Sequence, residues 1–170
     1  MSKAFVSEET ASPDDLPEEP DPEGPPVITP EGHERLTHEL AERQAERTAI
    51  VDQLGPDTDV LHTQELAMQK KLLDRRLRYL RRRLDTVEVV QPDATKHDRV
   101  HLGARVTVED EEGEETTYHV VGPDEADAET GQISVAAPLA QALLGREVGD
   151  QVSVRRPKGQ VTLTVQAVRY

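Results

Sequence analysis

Apolar residues recur along this chain with two different periods, and the change between them divides it. From about Thr29 to about Val89, two series step alternately by four and three: Leu36, Leu40, Arg43, Arg47, Ile50, Leu54, then Leu66, Lys70, Leu73, Leu77, Leu80, Leu84, Val87. That spacing is the seam of a coiled coil. Gly55-Pro56-Asp57-Thr58-Asp59 interrupts it, so the pattern predicts two helices joined by a turn. They pair antiparallel if Leu36 faces Leu84, Leu40 faces Leu80 and Leu54 faces Leu66. At a rise of about 1.5 Å per residue, arms of roughly two dozen residues make a rod of about 35–40 Å. Thr29 is placed to cap the first arm and Pro30 to occupy its first position, where no amide donor is needed. Arg43 and Arg47 weaken the middle of the seam unless they snorkel outward or find acids such as Asp74.

Beyond Gln91-Pro92-Asp93 the period becomes two. Ala104, Val106 and Val108 alternate with Arg105, Thr107 and Glu109, and further strands are expected at Tyr118 to Val121, Ile133 to Val135, Val152 to Val154 and Val161 to Val168. Glu111-Glu112-Gly113-Glu114 and Pro157-Lys158-Gly159 read as hairpin turns, and Pro138 to Leu144 as a short apolar helix closed by Gly145. The fold class is therefore α+β, an antiparallel coiled-coil hairpin followed by a mostly antiparallel sheet with one short helix. The expected divisions are an acidic disordered tail at 1–26, the hairpin at 27–91, a linker at 92–97 and the sheet domain at 98–170.

Composition removes several functions. Phe5, Tyr79, Tyr118 and Tyr170 are the only aromatic residues, too few to stack a series of nucleic-acid bases. The absence of cysteine excludes disulfides, thiolate metal sites and thiol catalysis, and fits a reducing compartment. No apolar run reaches membrane length and no apolar signal core opens the chain, so a cytoplasmic protein is expected, with no membrane partner. His33, His38, His62, His97, His101 and His119 show no metal-binding spacing. No Ser/His/Asp set, phosphate-cradling glycine loop or metal cage marks a stand-alone hydrolase.

Charge changes the picture more. The formal net charge is -14, yet residues 1–26 hold eight acids against Lys3, while residues 66–84 hold Lys70, Lys71, Arg75, Arg76, Arg78, Arg81, Arg82 and Arg83 against Asp74 alone. A face built only for solubility would mix signs, so this one-sided set points to a phosphate-bearing partner, with simple solvation as the bland alternative. The acidic tail is either a solubilising segment or an internal competitor that covers the basic helix.

Several stretches resemble the Gre family of bacterial transcript-cleavage and elongation factors, and its GreB branch most nearly. They are the opening Met-Ser-Lys-Ala-Phe, Ile28-Thr29-Pro30-Glu31-Gly32, Leu73-Asp74-Arg75-Arg76-Leu77-Arg78-Tyr79-Leu80, Gly103-Ala104-Arg105-Val106-Thr107-Val108, Val121-Gly122-Pro123-Asp124-Glu125-Ala126-Asp127, Ile133-Ser134-Val135, and Pro138-Leu139-Ala140-Gln141-Ala142-Leu143-Leu144-Gly145 with Gly149-Asp150. The resemblance implies a C-terminal domain of the FKBP-like fold that docks on RNA polymerase through Asp124, Glu125, Asp127, Pro138, Leu139 and Leu143. It implies a hairpin entering the secondary channel, with the basic helix near the RNA 3′ end of a backtracked complex and DNA of the elongation complex nearby. It further implies an accessory factor, not an enzyme, acting as a monomer. Prolyl isomerase activity does not follow from the fold.

In family members that stimulate cleavage the hairpin tip carries Asp-x-x-Glu followed by Asn. Counting back without gaps from Leu73-Asp74-Arg75, these positions fall on Pro56, Asp59 and Val60. Asp57 and Asp59 are then the candidate catalytic and metal-ligating carboxylates, sharing Mg²⁺ with the polymerase, the protein having no cofactor of its own. The alternatives are that the segment is only a turn with Asp59 capping the second helix, or that the protein occupies the channel without cleavage and opposes active factors. A coiled-coil adaptor that binds nucleic acid without polymerase is the reading from a different class.

Overall fold

The computed structural model describes residues 16–55, 59–92, 98–157 and 159–170. They form two compact units, one from the described part of Met1–Pro20 with Leu40–Arg81, the other from Asp21–Glu39 with Arg82–Tyr170.

The two long helices are α1 (Pro30–Gln53) and α2 (Val60–Thr86). Every position of the predicted seam is buried or half-buried, from Leu36 to Leu54 and from Leu66 to Val87. In the first unit Ile50, Leu66, Leu77, Tyr79 and Leu80 lie inside while Val51, Met68, Leu72 and Arg78 are exposed, as the amphipathic arms of a two-helix seam require. The register also follows. The predicted pairing sets Arg47 opposite Leu73, and the Arg47 guanidinium bonds the carboxylate of the next residue, Asp74. The seam's central arginine is thus satisfied sideways by an acid and does not break the pairing.

In the second unit, a pair of two-residue strands that the period did not show, β1 (Val27–Ile28) and β2 (Glu88–Val89), lie parallel. They clamp the start of α1 to the chain leaving α2. The main sheet has five strands: β3 (Arg105–Glu109), β4 (Glu115–Val121), β5 (Gln132–Ser134), β6 (Gln151–Arg156) and β7 (Gly159–Arg169), in the order β5-β4-β3-β7-β6. All neighbours are antiparallel except β4 and β5, which run parallel. The reason is the connection: a 3₁₀ turn at Pro123–Glu125 and the turn ending at Gly131 replace a tight hairpin, so the chain can re-enter in the same direction.

Alternation decides which face is buried. Val106, Val108, Val120, Val152, Val154, Leu163 and Val165 point to one side, and the short helix α3 (Pro138–Leu143) covers them with Ala140 and Leu143. Pro138 stands at the first helical position and Gly145 follows at positive φ, where a side chain would be strained. A register shift between Thr107 and Val108 marks a bulge in the β3–β7 pair.

Candidate functional site

In the first unit the basic residues of α2 are not one uniform face. Lys70 donates to Asp74 at 2.7 Å, on the carboxylate that Arg47 also bonds. Burial alone would raise the Asp74 carboxyl, but the hydrogen bonds from Lys70 and Arg47, with their charges, together hold it below the ordinary range. Arg76 lies over the Tyr79 ring, 4.9 Å from its centre, and pairs with Glu19 at 2.9 Å. Arg78 pairs with Glu18 at 2.7 Å. Lys71 and Arg81 are exposed, and Arg75 is half-buried with its Nε lacking a hydrogen-bond partner.

Arg47, Arg78 and Arg81, with Gln44, Thr48, Asp74 and Leu77, line a groove of about 660 Å³. Three guanidiniums thus line the groove with one carboxylate, which Arg47 and Lys70 already bond.

In the second unit the remaining two cations are held by acids. Arg82 pairs with Asp21 at 3.0 Å. Arg83, only 5% exposed, forks onto both oxygens of Asp124 at 2.9 and 2.7 Å. Arg83 is therefore held in a buried ion pair.

A second buried carboxylate stands beside it in sequence. Glu125 accepts from the Thr29 backbone N–H at 2.9 Å, from the Thr29 hydroxyl at 2.5 Å and from the Gly122 N–H at 3.0 Å, and meets Arg35 at 3.4 Å. Thr29 Oγ1 in turn accepts from the Gly32 N–H, so the expected cap of α1 is present and is itself oriented by Glu125. Two glycines make room: a Cβ at Gly32 would sit 2.1 Å from Glu125 Oε1, and one at Gly122 would sit 2.0 Å from the Val27 carbonyl oxygen.

This bears on the residues that the resemblance nominated for docking. Asp124 and Glu125 are inside, spent on Arg83 and Thr29, and Leu143 is fully buried in the sheet core. Their side chains are engaged within the fold. Asp127 and Pro138 are exposed and Leu139 is half-buried, although the Asp127 side chain braces its own turn by accepting from Glu129 N and Thr130 Oγ1. His119 is held below the usual imidazole range by burial and then by Arg105, against the opposite pull of Glu31 and Glu125.

At the tip, Asp57 lies outside the described residues. Asp59 is exposed, directly precedes α2, and accepts through its backbone carbonyl from the amide and hydroxyl of Thr63. Among the described residues no three His, Asp or Glu side chains converge to hold a metal. A hard divalent cation wants six or more oxygens, a number that Asp59 alone does not supply. No described helix is long and apolar enough to cross a membrane.

Comparison with known proteins gives these features a context. The family described as "Transcription elongation factor, GreA/GreB, C-term" matches residues 94–170. The transcription elongation factor GreB of Pseudomonas aeruginosa is 42% identical over 154 residues, covering 86% of this chain and 92% of that protein. GreA of Desulfovibrio desulfuricans is 36% identical over 150 residues, covering 84% and 93%. Among solved structures, GreA factor homolog 1 of Thermus thermophilus is 31% identical and covers 85% of this chain and 98% of that one, with a TM-score of 0.41. Identity at this level over nearly the whole length of the relatives shows that the chain belongs to the GreA/GreB family of transcription elongation factors, accessory proteins that act on RNA polymerase.

Proposed function

We propose that this factor engages RNA polymerase through its sheet domain and extends the hairpin into the secondary channel, where the basic groove between α1 and α2 meets the phosphates of the extruded RNA 3′ end. The observation that carries the reading is the groove lined by Arg47 of α1 with Arg78 and Arg81 of α2, beside a stretch, residues 66–84, in which basic residues outnumber acids eight to one. Exposed Pro138 and Asp127 and half-buried Leu139 are the sheet-domain residues left to contact the polymerase, with DNA of the elongation complex nearby. The protein acts as a monomer and has no cofactor of its own.

Asp57 and Asp59 are the tip carboxylates offered to a Mg²⁺ that polymerase itself holds, a metal that activates water for RNA hydrolysis. The chain's contribution is oxygen donors and position. A second reading, a channel-occupying regulator without cleavage, is favoured by one observation: Pro56 and Val60 stand where cleavage-active relatives are expected to carry Asp and Asn. A misplacement of even about 1 Å at a reacting centre costs on the order of a hundredfold in rate.

RNA length on a backtracked polymerase complex in Mg²⁺ decides between them. Active cleavage predicts shortened RNA with the wild-type protein and full-length RNA with Asp57→Ala/Asp59→Ala, with polymerase binding unchanged. Full-length RNA with the wild type, binding being retained, assigns it as the channel-occupying regulator. Absence of binding to polymerase would overturn both.

A further inference from the structure

The acidic segment ahead of α1 occupies Arg78, a side chain of the groove that an RNA would use, and its neighbour Arg76. In the first unit Glu18 and Glu19 sit on Arg78 and Arg76 at 2.7 and 2.9 Å, and Arg78 is a wall of the basic groove. In the second unit Asp21 takes Arg82. The acids therefore mimic phosphates: in the first unit two adjacent carboxylates, Glu18 and Glu19, are matched to two arginines of α2, Arg78 and Arg76.

We propose that Glu18 and Glu19 form an electrostatic strap that holds the basic groove closed to polyanions, and that RNA binds by displacing it. The proposal rests on the reading that this groove meets RNA. Arg76 and Arg78 are one-third and about one-half exposed, so each pair is a solvent-accessible contact of modest strength that a phosphate chain can exchange. The strap sets a threshold: isolated phosphates or sparse RNA fail to open it, whereas an RNA end delivered at high local concentration succeeds. It also alters salt dependence. Acids freed by displacement take up cations, offsetting part of the counterion release that drives RNA binding.

The test uses the full chain and a fluorescein-labelled single-stranded oligouridylate, with anisotropy measured over a KCl series. Glu18→Gln/Glu19→Gln should bind about three- to tenfold tighter than wild type at low salt, with a steeper dependence of log Kd on log salt. Arg76→Gln/Arg78→Gln should bind more weakly than wild type. Glu111→Gln/Glu112→Gln, which removes the same charge from an exposed turn of the sheet domain, should leave both affinity and slope unchanged. If Arg76→Gln/Arg78→Gln loses affinity while Glu18→Gln/Glu19→Gln matches wild type, the strap is refuted and the RNA-binding groove stands. An equal gain from the Glu111/Glu112 variant would reduce the effect to net charge and refute the strap as well. If the arginine variant binds as wild type does, the groove itself is not the RNA site and the strap goes with it.

Discussion

Glu125 is the residue on which the second unit's geometry turns. Its side chain is 2% exposed, and an ionised carboxylate so placed is tolerable only when donors surround it. Thr29 and Gly122 supply three, and Gly32 leaves the space. Glu125→Gln keeps the shape but turns one acceptor into a donor facing donors, and should cost about 2 kcal/mol. Gly32→Ala, whose Cβ would overlap the carboxylate, should cost at least as much without touching any charge. Urea unfolding followed by circular dichroism measures both, and unchanged midpoints would show that the anchor is dispensable. The Thr29 cap was legible from Thr29-Pro30 alone, because a cap is local. Its partner was not, since Glu125 lies 96 positions away and an acid after Pro123-Asp124 reads equally well as a surface contact.

Among the elements, the hairpin was the most legible, because a seam repeats and each repeat restates the register. Its polar centre needed the structure: sequence offered Asp74 as one acid for Arg47, and the fold shows Lys70 sharing it. Asp74→Asn should weaken the hairpin by about 1 kcal/mol, the partners being partly exposed. The sign of the pH effect follows from the lowered carboxyl. An unfolded Asp titrates near about 3.9, so the stabilisation is fully present above that pH and is lost as pH falls through the lower folded value. Thermal melts at about pH 6 and about pH 3 should therefore show a larger loss in wild type than in Asp74→Asn. Equal losses would remove this carboxylate from the hairpin's acid response. The short strands β1 and β2 escaped the sequence because two residues carry no period.

For the whole molecule, a net charge of -14 repels RNA at a distance, while the groove attracts it at contact. The free protein should consequently hold single-stranded RNA weakly and with marked salt dependence. Arg81, exposed in the groove wall, reports that contact. Arg81→Gln should lower the salt slope by about 0.7, the share of one single-strand phosphate, while leaving thermal stability unaltered. A slope equal to wild type would mean that the RNA path avoids this wall.

The second unit is also discontinuous in sequence, built from Asp21–Glu39 and Arg82–Tyr170. On a ribosome, the residues around Thr29 emerge well before β2, Gly122 and Glu125 exist to receive them. The early helix must wait, and closing so long a loop is slow compared with forming the turns of α1 itself. Order of synthesis thus opposes order of assembly: the last-made third of the chain completes the site that the first-made third began, and a nascent chain arrested before Glu125 would carry an α1 whose first turn has no lock.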